Sequence, residues 1–266
     1  MGFYFRSLCS SSAGNSLVLW GEKTRLLVDC GISSQRDCRA MLAKEFPNPG
    51  DLDAVIVTHA HGDHINYSTL KVFGQNNIPV RIHEKAIGQV ENKWCVGHKL
   101  PGLRMATFGR EFQIGEFAIE AVKLEHMPLY HTVGFVVHWM REGRSAKAVI
   151  MADFCEWENI AEHFRDADFI YVEANHDLKM LRENYNPNSE YHLPNPQTGN
   201  LLHTAAMRSA KQPATVMLGH ISSQRNKAKL ALAEVKKTFA AKNDKMDFRL
   251  LAAPLYETSE VVTIAD

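Results

Sequence analysis

Short runs of β-branched and large apolar residues, bounded by turn-forming residues, recur at 16–20, 25–29, 54–58, 80–83, 117–123, 133–139, 148–151, 169–172 and 215–218. Runs of this length and composition predict strands. Apolar positions at helical spacing predict helices over 35–44, 67–73, 178–183, 202–210 and 227–241. Hairpin-like strands dominate early and strands alternate with helices later, which predicts an α/β fold with two sheets in a sandwich covered by helices. The segment 185–196 carries Pro187, Pro194 and Pro196 and predicts a loop. Such a loop is either a substrate-facing flap or a passive surface connection.

At 266 residues the chain can bury a sizeable core, and no repeat or low-complexity linker divides it, so one domain spanning 1–266 is expected. Its 30 basic and 30 acidic residues cancel. No global positive field therefore advertises nucleic acid, and any such partner has to be met by a local patch. No apolar stretch approaches the roughly 20 residues that span a bilayer, and the opening Met1-Gly2-Phe3-Tyr4-Phe5-Arg6-Ser7 lacks the order of a secretory signal. Five cysteines, Cys9, Cys30, Cys38, Cys95 and Cys155, show no paired metal-ligand spacing. Reduced thiols in a cytoplasmic protein are the expectation.

Chemistry concentrates in Thr58-His59-Ala60-His61-Gly62-Asp63-His64, directly after the apolar run Ala54-Val55-Ile56-Val57. Imidazole and carboxylate are the ligands that borderline divalent metals prefer, and a turn at a strand end can present these four in two pairs. The pattern reads as a two-metal hydrolytic site. Two metals need more ligands than one loop supplies, so others must come from other strand ends. Asp153 follows Val149-Ile150-Met151-Ala152, His220 follows Val216-Met217-Leu218-Gly219, and His126 follows the strand at 117–124. His131 lies close enough in sequence to rival His126, which is preferred because it ends the strand.

These segments resemble the metallo-β-lactamase superfamily, in which a His-x-His-x-Asp-His motif is completed by a histidine, an aspartate and a final histidine on later strand ends. The resemblance covers nearly the whole chain and implies a four-layer αββα sandwich. By position it assigns His59, His61 and His126 to one metal, Asp63, His64 and His220 to the second, and Asp153 to the bridge. The implied cofactors are two divalent ions, zinc first, with manganese or iron also suited to such ligands.

Finer motifs are similar to the YycJ/WalJ exonuclease group, which is related to ribonuclease Z. They are Ser10-Ser11-Ser12-Ala13-Gly14-Asn15-Ser16, Leu27-Val28-Asp29-Cys30-Gly31 and Val172-Glu173-Ala174-Asn175-His176-Asp177. In the first, Gly14 suggests a tight turn and Asn15 a bond to its own backbone. His203-Thr204-Ala205-Ala206 and His220-Ile221-Ser222-Ser223-Gln224-Arg225 are similar to ribonuclease Z segments. In that relative a glutamate and a non-ligand histidine act together, and the resemblance makes Glu173 and His203 that pair, alongside Asp63. The histidine would protonate the leaving oxygen of a phosphodiester while metal-activated hydroxide attacks.

The resemblance therefore implies a phosphodiesterase acting on DNA or RNA, in the manner of a 5′-to-3′ DNA exonuclease. One departure stands against extended strand binding: Tyr191-His192-Leu193-Pro194-Asn195-Pro196-Gln197 lacks the basic residues and Gly-His pair usual in the group. A small-molecule hydrolase on the same scaffold, such as a cyclic-nucleotide phosphodiesterase, thioesterase or lactonase, is the alternative. A metal-bound regulatory protein without turnover is a third reading, disfavoured by the intact ligand set. Ribonuclease Z relatives are often homodimers, but no apolar stripe marks an interface here.

Overall fold

A computed structural model describes residues 2–266. Among them, two seven-stranded mixed sheets stack face to face. The first is built from β1 (Phe3–Ser11), β2 (Gly14–Trp20), β3 (Arg25–Val28), β4 (Ala54–Val57), β5 (Pro79–His83) and β6 (Arg104–Phe108), with the C-terminal strand β14 (Val262–Ala265) on the β1 edge. The second runs β7 (Glu111–Ile114), β8 (Phe117–Leu124), β9 (Thr132–Arg141), β10 (Arg144–Met151), β11 (Phe169–Glu173), β12 (Thr215–Gly219) and β13 (Arg249–Ala252) in spatial order.

Each sheet begins with antiparallel pairs and ends with parallel ones, β3 to β6 in the first and β10 to β13 in the second. The parallel strands are covered on both faces, which explains why β4 and β12 are buried at every position. β8 has exposed positions interspersed among its buried ones, because its outer face meets solvent.

The core between the sheets contains Phe3, Phe5, Phe117, Phe135, Trp139, Phe169 and Tyr171. Helices α1 (Gln35–Glu45) and α2 (Tyr67–Gln75) cover the first sheet through Leu42, Leu70 and Phe73. A four-residue helix α3 (Ile87–Val90) runs into a π-helical turn, Glu91–Cys95. On the second sheet, α4 (Leu178–Glu183) precedes α5 (Asn195–Arg208) and α6 (Ala228–Ala241), whose Leu201, Leu202, Val235 and Phe239 close the outer core. The result is the expected αββα sandwich. Among the described residues, no helix is long and apolar enough to cross a membrane.

All nine expected strands form, but β1, β6, β7, β13 and β14 were not anticipated. β6 and β7 are edge-region strands with many exposed positions, so they lack the apolar signature that marked the others. Helix α5 starts at Asn195 rather than 202, since Pro196 falls in the first turn, where a missing N–H costs nothing. The loop expectation at 185–196 thus holds only in part: Pro187–Tyr191 forms a 3-10 turn and the last two residues are helical.

Candidate metal centre

The loop after β4 is a tight turn in which the His64 and Ile65 N–H groups both donate to the His61 carbonyl, at 3.1 and 2.9 Å. Asn66 then caps α2 in a reciprocal capping box with Thr69. Strand end, turn and capped helix together fix where His59, His61, Asp63 and His64 point. Asp29, Asp153 and His220 extend from the ends of β3, β10 and β12, all three in the left-handed backbone region at φ 59°, 61° and 48°. Residues other than glycine hold such conformations only where the surroundings enforce them, and they cluster at functional sites.

Three imidazoles converge in the first group. His59 Nε2 lies 2.9 Å from His61 Nδ1, and His126 Nε2 lies 3.3 Å from that same atom. Two metal bonds of about 2.05 Å at a tetrahedral angle put ligand nitrogens about 3.3 Å apart. Burial pushes His61 down to about 4, against the pull of Asp153, and drives His59 well below its ordinary value with help from the His64 charge. Neutral imidazoles are the ligating form.

In the second group, Asp63 Oδ2 stands 3.6 Å from His64 Nε2 and 3.5 Å from His220 Nε2. Asp153 spans both groups: Oδ2 is 2.8 Å from His64 Nε2, and Oδ1 is 3.5 Å from His220 Nε2 and 3.8 Å from His126 Nε2. Asp153 Oδ2 and His220 Nε2 are buried and unpaired by any hydrogen bond. Burial would lower both His64 and His220, yet surrounding carboxylates, Asp153 foremost, raise His64 well above the usual range and push His220 up to about 10. So much negative potential around orphaned ligand atoms fits cations, which would take the place of those protons.

The outer contacts select the ligating nitrogens. His64 Nδ1 donates to Asp29 Oδ2 at 2.8 Å, His220 Nδ1 to Glu173 Oε2 at 2.9 Å, and His126 Nδ1 to the Tyr191 carbonyl at 2.9 Å. Each bond turns Nε2 toward the centre of the cluster. Asp29 also accepts from the Thr58 N–H and hydroxyl, both at 2.8 Å. Asn15 does bond its local backbone, at the Ser11 carbonyl, but its amide also reaches His64 Nε2 at 3.2 Å, and its N–H donates to the Asp63 carbonyl at 2.8 Å. Ser10 ties the sheets together, its hydroxyl 2.6 Å from Tyr171 and accepting from the His220 N–H at 2.7 Å. A Cβ on Gly31 would come within 1.8 Å of the Asp63 carbonyl oxygen, so only glycine lets the two loops approach.

The structure brings together His59, His61, Asp63, His64, His126, Asp153 and His220. It leaves His131 outside, packed against His83 with ring centroids 4.3 Å apart and the planes tilted by 38°. Glu173 and His203 do not pair. The His203 ring packs on Phe239 of α6, and its Nε2 lies 2.6 Å from Asp244 Oδ2, because this side of α5 faces α6 rather than the strand ends. The imidazole beside Glu173 is His192, whose Nδ1 donates to Glu173 Oε2 at 2.9 Å.

His192 sits in the segment whose prolines predicted only a loop. A bridge between His176 and Pro194, with the Leu193 N–H on Glu173 Oε1 at 2.9 Å, folds that segment back onto the end of β11. A histidine three residues ahead of a helix opened by Asn195-Pro196 was the available signal. Burial opposes ionisation of Glu173, but the His192 charge and the hydrogen bonds from His192 and His220 hold it down at about 2.

A two-sheet sandwich with seven clustered His and Asp side chains on strand-end loops is the arrangement of a metallo-β-lactamase-type domain, and the chain belongs to that family: the beta-lactamase superfamily domain matches residues 24–221. Among particular relatives, exodeoxyribonuclease WalJ of Streptococcus pneumoniae is 27% identical over 245 residues, covering 87% of this chain and 86% of WalJ. The Bacillus subtilis metallo-β-lactamase fold protein YhfI superposes with a TM-score of 0.70 at 18% identity, covering 97% of this chain and 99% of YhfI. The short form of human tRNase Z, ELAC1, superposes with a TM-score of 0.63 at 16% identity over 98% of this chain and 99% of that one. At such identities the two structures show a shared fold.

Proposed function

We propose that residues 1–266 act as one binuclear metal-dependent phosphodiesterase domain on nucleic acid, a cytoplasmic 5′-to-3′ exodeoxyribonuclease in the manner of WalJ. The observation that carries this reading is Glu173, which joins a metal-ligand histidine to one outside the ligand set through a single carboxylate oxygen, Oε2. His59, His61 and His126 would hold one ion, Asp63, His64 and His220 the other, with Asp153 between them. Two such ions, zinc by first choice, would activate water at neutral pH and offset charge on the phosphoryl oxygens.

The chain's own residues supply the rest. Glu173 takes the Nδ1–H of His192, and in the imidazolium form of that ring the far nitrogen carries a second proton that it can pass to the leaving 3′-oxygen. His192 is only 17% exposed in its side chain and lies 3.4 Å from Asp153 Oδ1, which supports a role for it at the reacting phosphate. A thioester needs less help of this kind, because its thiolate departs with a weaker demand for a proton than an alkoxide does.

The deciding experiment incubates zinc- and manganese-loaded protein with 5′-phosphorylated DNA, a cyclic nucleotide, a thioester and a lactone. Progressive shortening of DNA from its 5′ end is expected. Turnover of the thioester or lactone with intact DNA and cyclic nucleotide would reject the phosphodiesterase reading.

A further inference from the structure

Beside the first metal group the molecule carries an aromatic and basic lip that the ligand chemistry does not use. Tyr130 stands edge-on to the His61 ring, with centroids 4.1 Å apart. Lys93, from the π-helical turn, places Nζ 2.9 Å from the Tyr130 hydroxyl and 4.9 Å from the ring centroids of both Tyr130 and Trp94. The edge of Trp94 reaches over the metal loop at Gly62, whose position leaves 3.5 Å from a Cβ there to the indole. Gln89 pins the Tyr130 loop in place, donating to the Leu129 carbonyl at 2.8 Å and accepting from the His131 N–H at 3.1 Å.

Charge on this lip differs from that of the whole chain. Within 84–101, Lys85, Lys93 and Lys99 face only Glu84 and Glu91, whereas the full sequence is neutral. Val96 and Leu129 add exposed apolar surface at 65% and 79% accessibility. π-helical turns of this kind occur mostly at functional sites, and cations interleaved with aromatic faces are what binds a strand of unpaired nucleotides: the cation meets phosphate and the ring meets a base.

We infer that Lys93, Trp94 and Tyr130 form the subsite for the nucleotide adjoining the scissile phosphate of a single-stranded nucleic-acid end. The inference rests on the phosphodiesterase reading for its substrate class. Lys93 contacts the neighbouring phosphate, Tyr130 and Trp94 stack on the base, and Gln89 is a positioning residue that holds the Tyr130 loop. This is the local patch that a chain of zero net charge requires to hold a polyanion.

Two readouts test the subsite. Lys93→Ala and Tyr130→Leu should each raise KM for 5′-phosphorylated single-stranded DNA about tenfold, and more than they raise it for bis(p-nitrophenyl) phosphate. Lys93→Ala should also flatten the salt dependence of DNA binding by about 0.7 in log–log slope, the share of one lost phosphate contact, with Lys93→Arg restoring it. Lys237→Ala, in an exposed ion pair on α6, should change neither quantity.

Independently of turnover, a phosphorothioate strand should quench tryptophan emission in the wild type and not in Trp94→Phe. Unchanged KM and salt slope in Lys93→Ala, or equal quenching with and without Trp94, would overturn the subsite. Quenching through Trp94 without hydrolysis of DNA would keep the subsite and reject the nuclease reading. Loss of both would reject both.

Discussion

Glu173 Oε2 accepts a 2.9 Å hydrogen bond from His192 Nδ1, so the His192 ring hangs on a carboxylate that is wholly shielded from solvent. The same oxygen lies 2.9 Å from His220 Nδ1, and the two tasks can be separated by substitution. His192→Ala should lower kcat on DNA by about 10²–10³ while both metals stay bound, as expected for removal of a general acid. Glu173→Gln should lower kcat and also weaken metal retention. His203→Ala should leave kcat within about twofold and cost about 1 kcal/mol of stability through its lost Asp244 bond. Steady-state rates, elemental analysis and denaturant melts check all three, and a catalytic collapse in His203→Ala would restore the pairing expected from sequence.

Asp29 touches no proposed ligand atom, yet its hydrogen bond aims the His64 ring. Asp29→Ala should weaken metal binding at the Asp63, His64 and His220 group by about 10- to 100-fold. Competition against a chromogenic chelator measures this, and undiminished affinity at both sites would show that the turn alone orients His64.

Protonated His64 and His220 in the metal-free protein make metal uptake a proton exchange. Both imidazoles are raised, so at neutral pH they carry protons that bound cations displace, and metal affinity should increase with pH. Calorimetric titration in buffers of different ionisation enthalpy should show net proton release. Chelation should lower Tm, since metal at about 100 times its Kd stabilises by about 2.7 kcal/mol. A buffer-independent enthalpy would contradict the exchange.

His131 offers a pH response outside the ligand set. Burial, reinforced by the charges of His83, Lys123 and Lys85, pushes its imidazole down to about 4. An unfolded histidine titrates near 6.5. Between those values the unfolded chain binds a proton that the folded one refuses, so stability is complete above pH about 6.5 and declines as pH falls toward about 4. Wild-type Tm should therefore drop more on acidification than that of His131→Gln. Parallel Tm profiles for the two proteins would show that His131 carries no such load.

Gly31→Ala tests the close approach of two loops. A methyl group there would collide with the Asp63 carbonyl, so the variant should lose about 1–3 kcal/mol of stability and hold metal less tightly. Thermal melts with and without added zinc should both fall. Equal melts for variant and wild type would mean that the loop at 58–64 can yield.

Much of the centre was legible because its residues stand at the ends of apolar runs: strand ends announce themselves by composition, and His59, His61, Asp63, His64, His126, Asp153 and His220 follow such runs directly. The lip was harder to see. Lys93 and Tyr130 stand 37 positions apart in sequence and meet only where their loops fold together. Asn15 reads as bonding only its own backbone because a local run says nothing about the loops that pack against it.

Periodicity and turn chemistry determine which segments extend, which coil and which residues terminate them, since these depend on neighbours within a few positions. The sequence therefore determined the layered fold and which His and Asp residues stand at its strand ends. Which histidine answers Glu173 was decided only by tertiary structure. His203 stands in a sequence context similar to that of such a partner, but it lies on the side of α5 that faces α6, while the His176–Pro194 bridge folds His192 back to the carboxylate. Side-chain facing and long-range closure are properties of packing, and no local pattern encodes them.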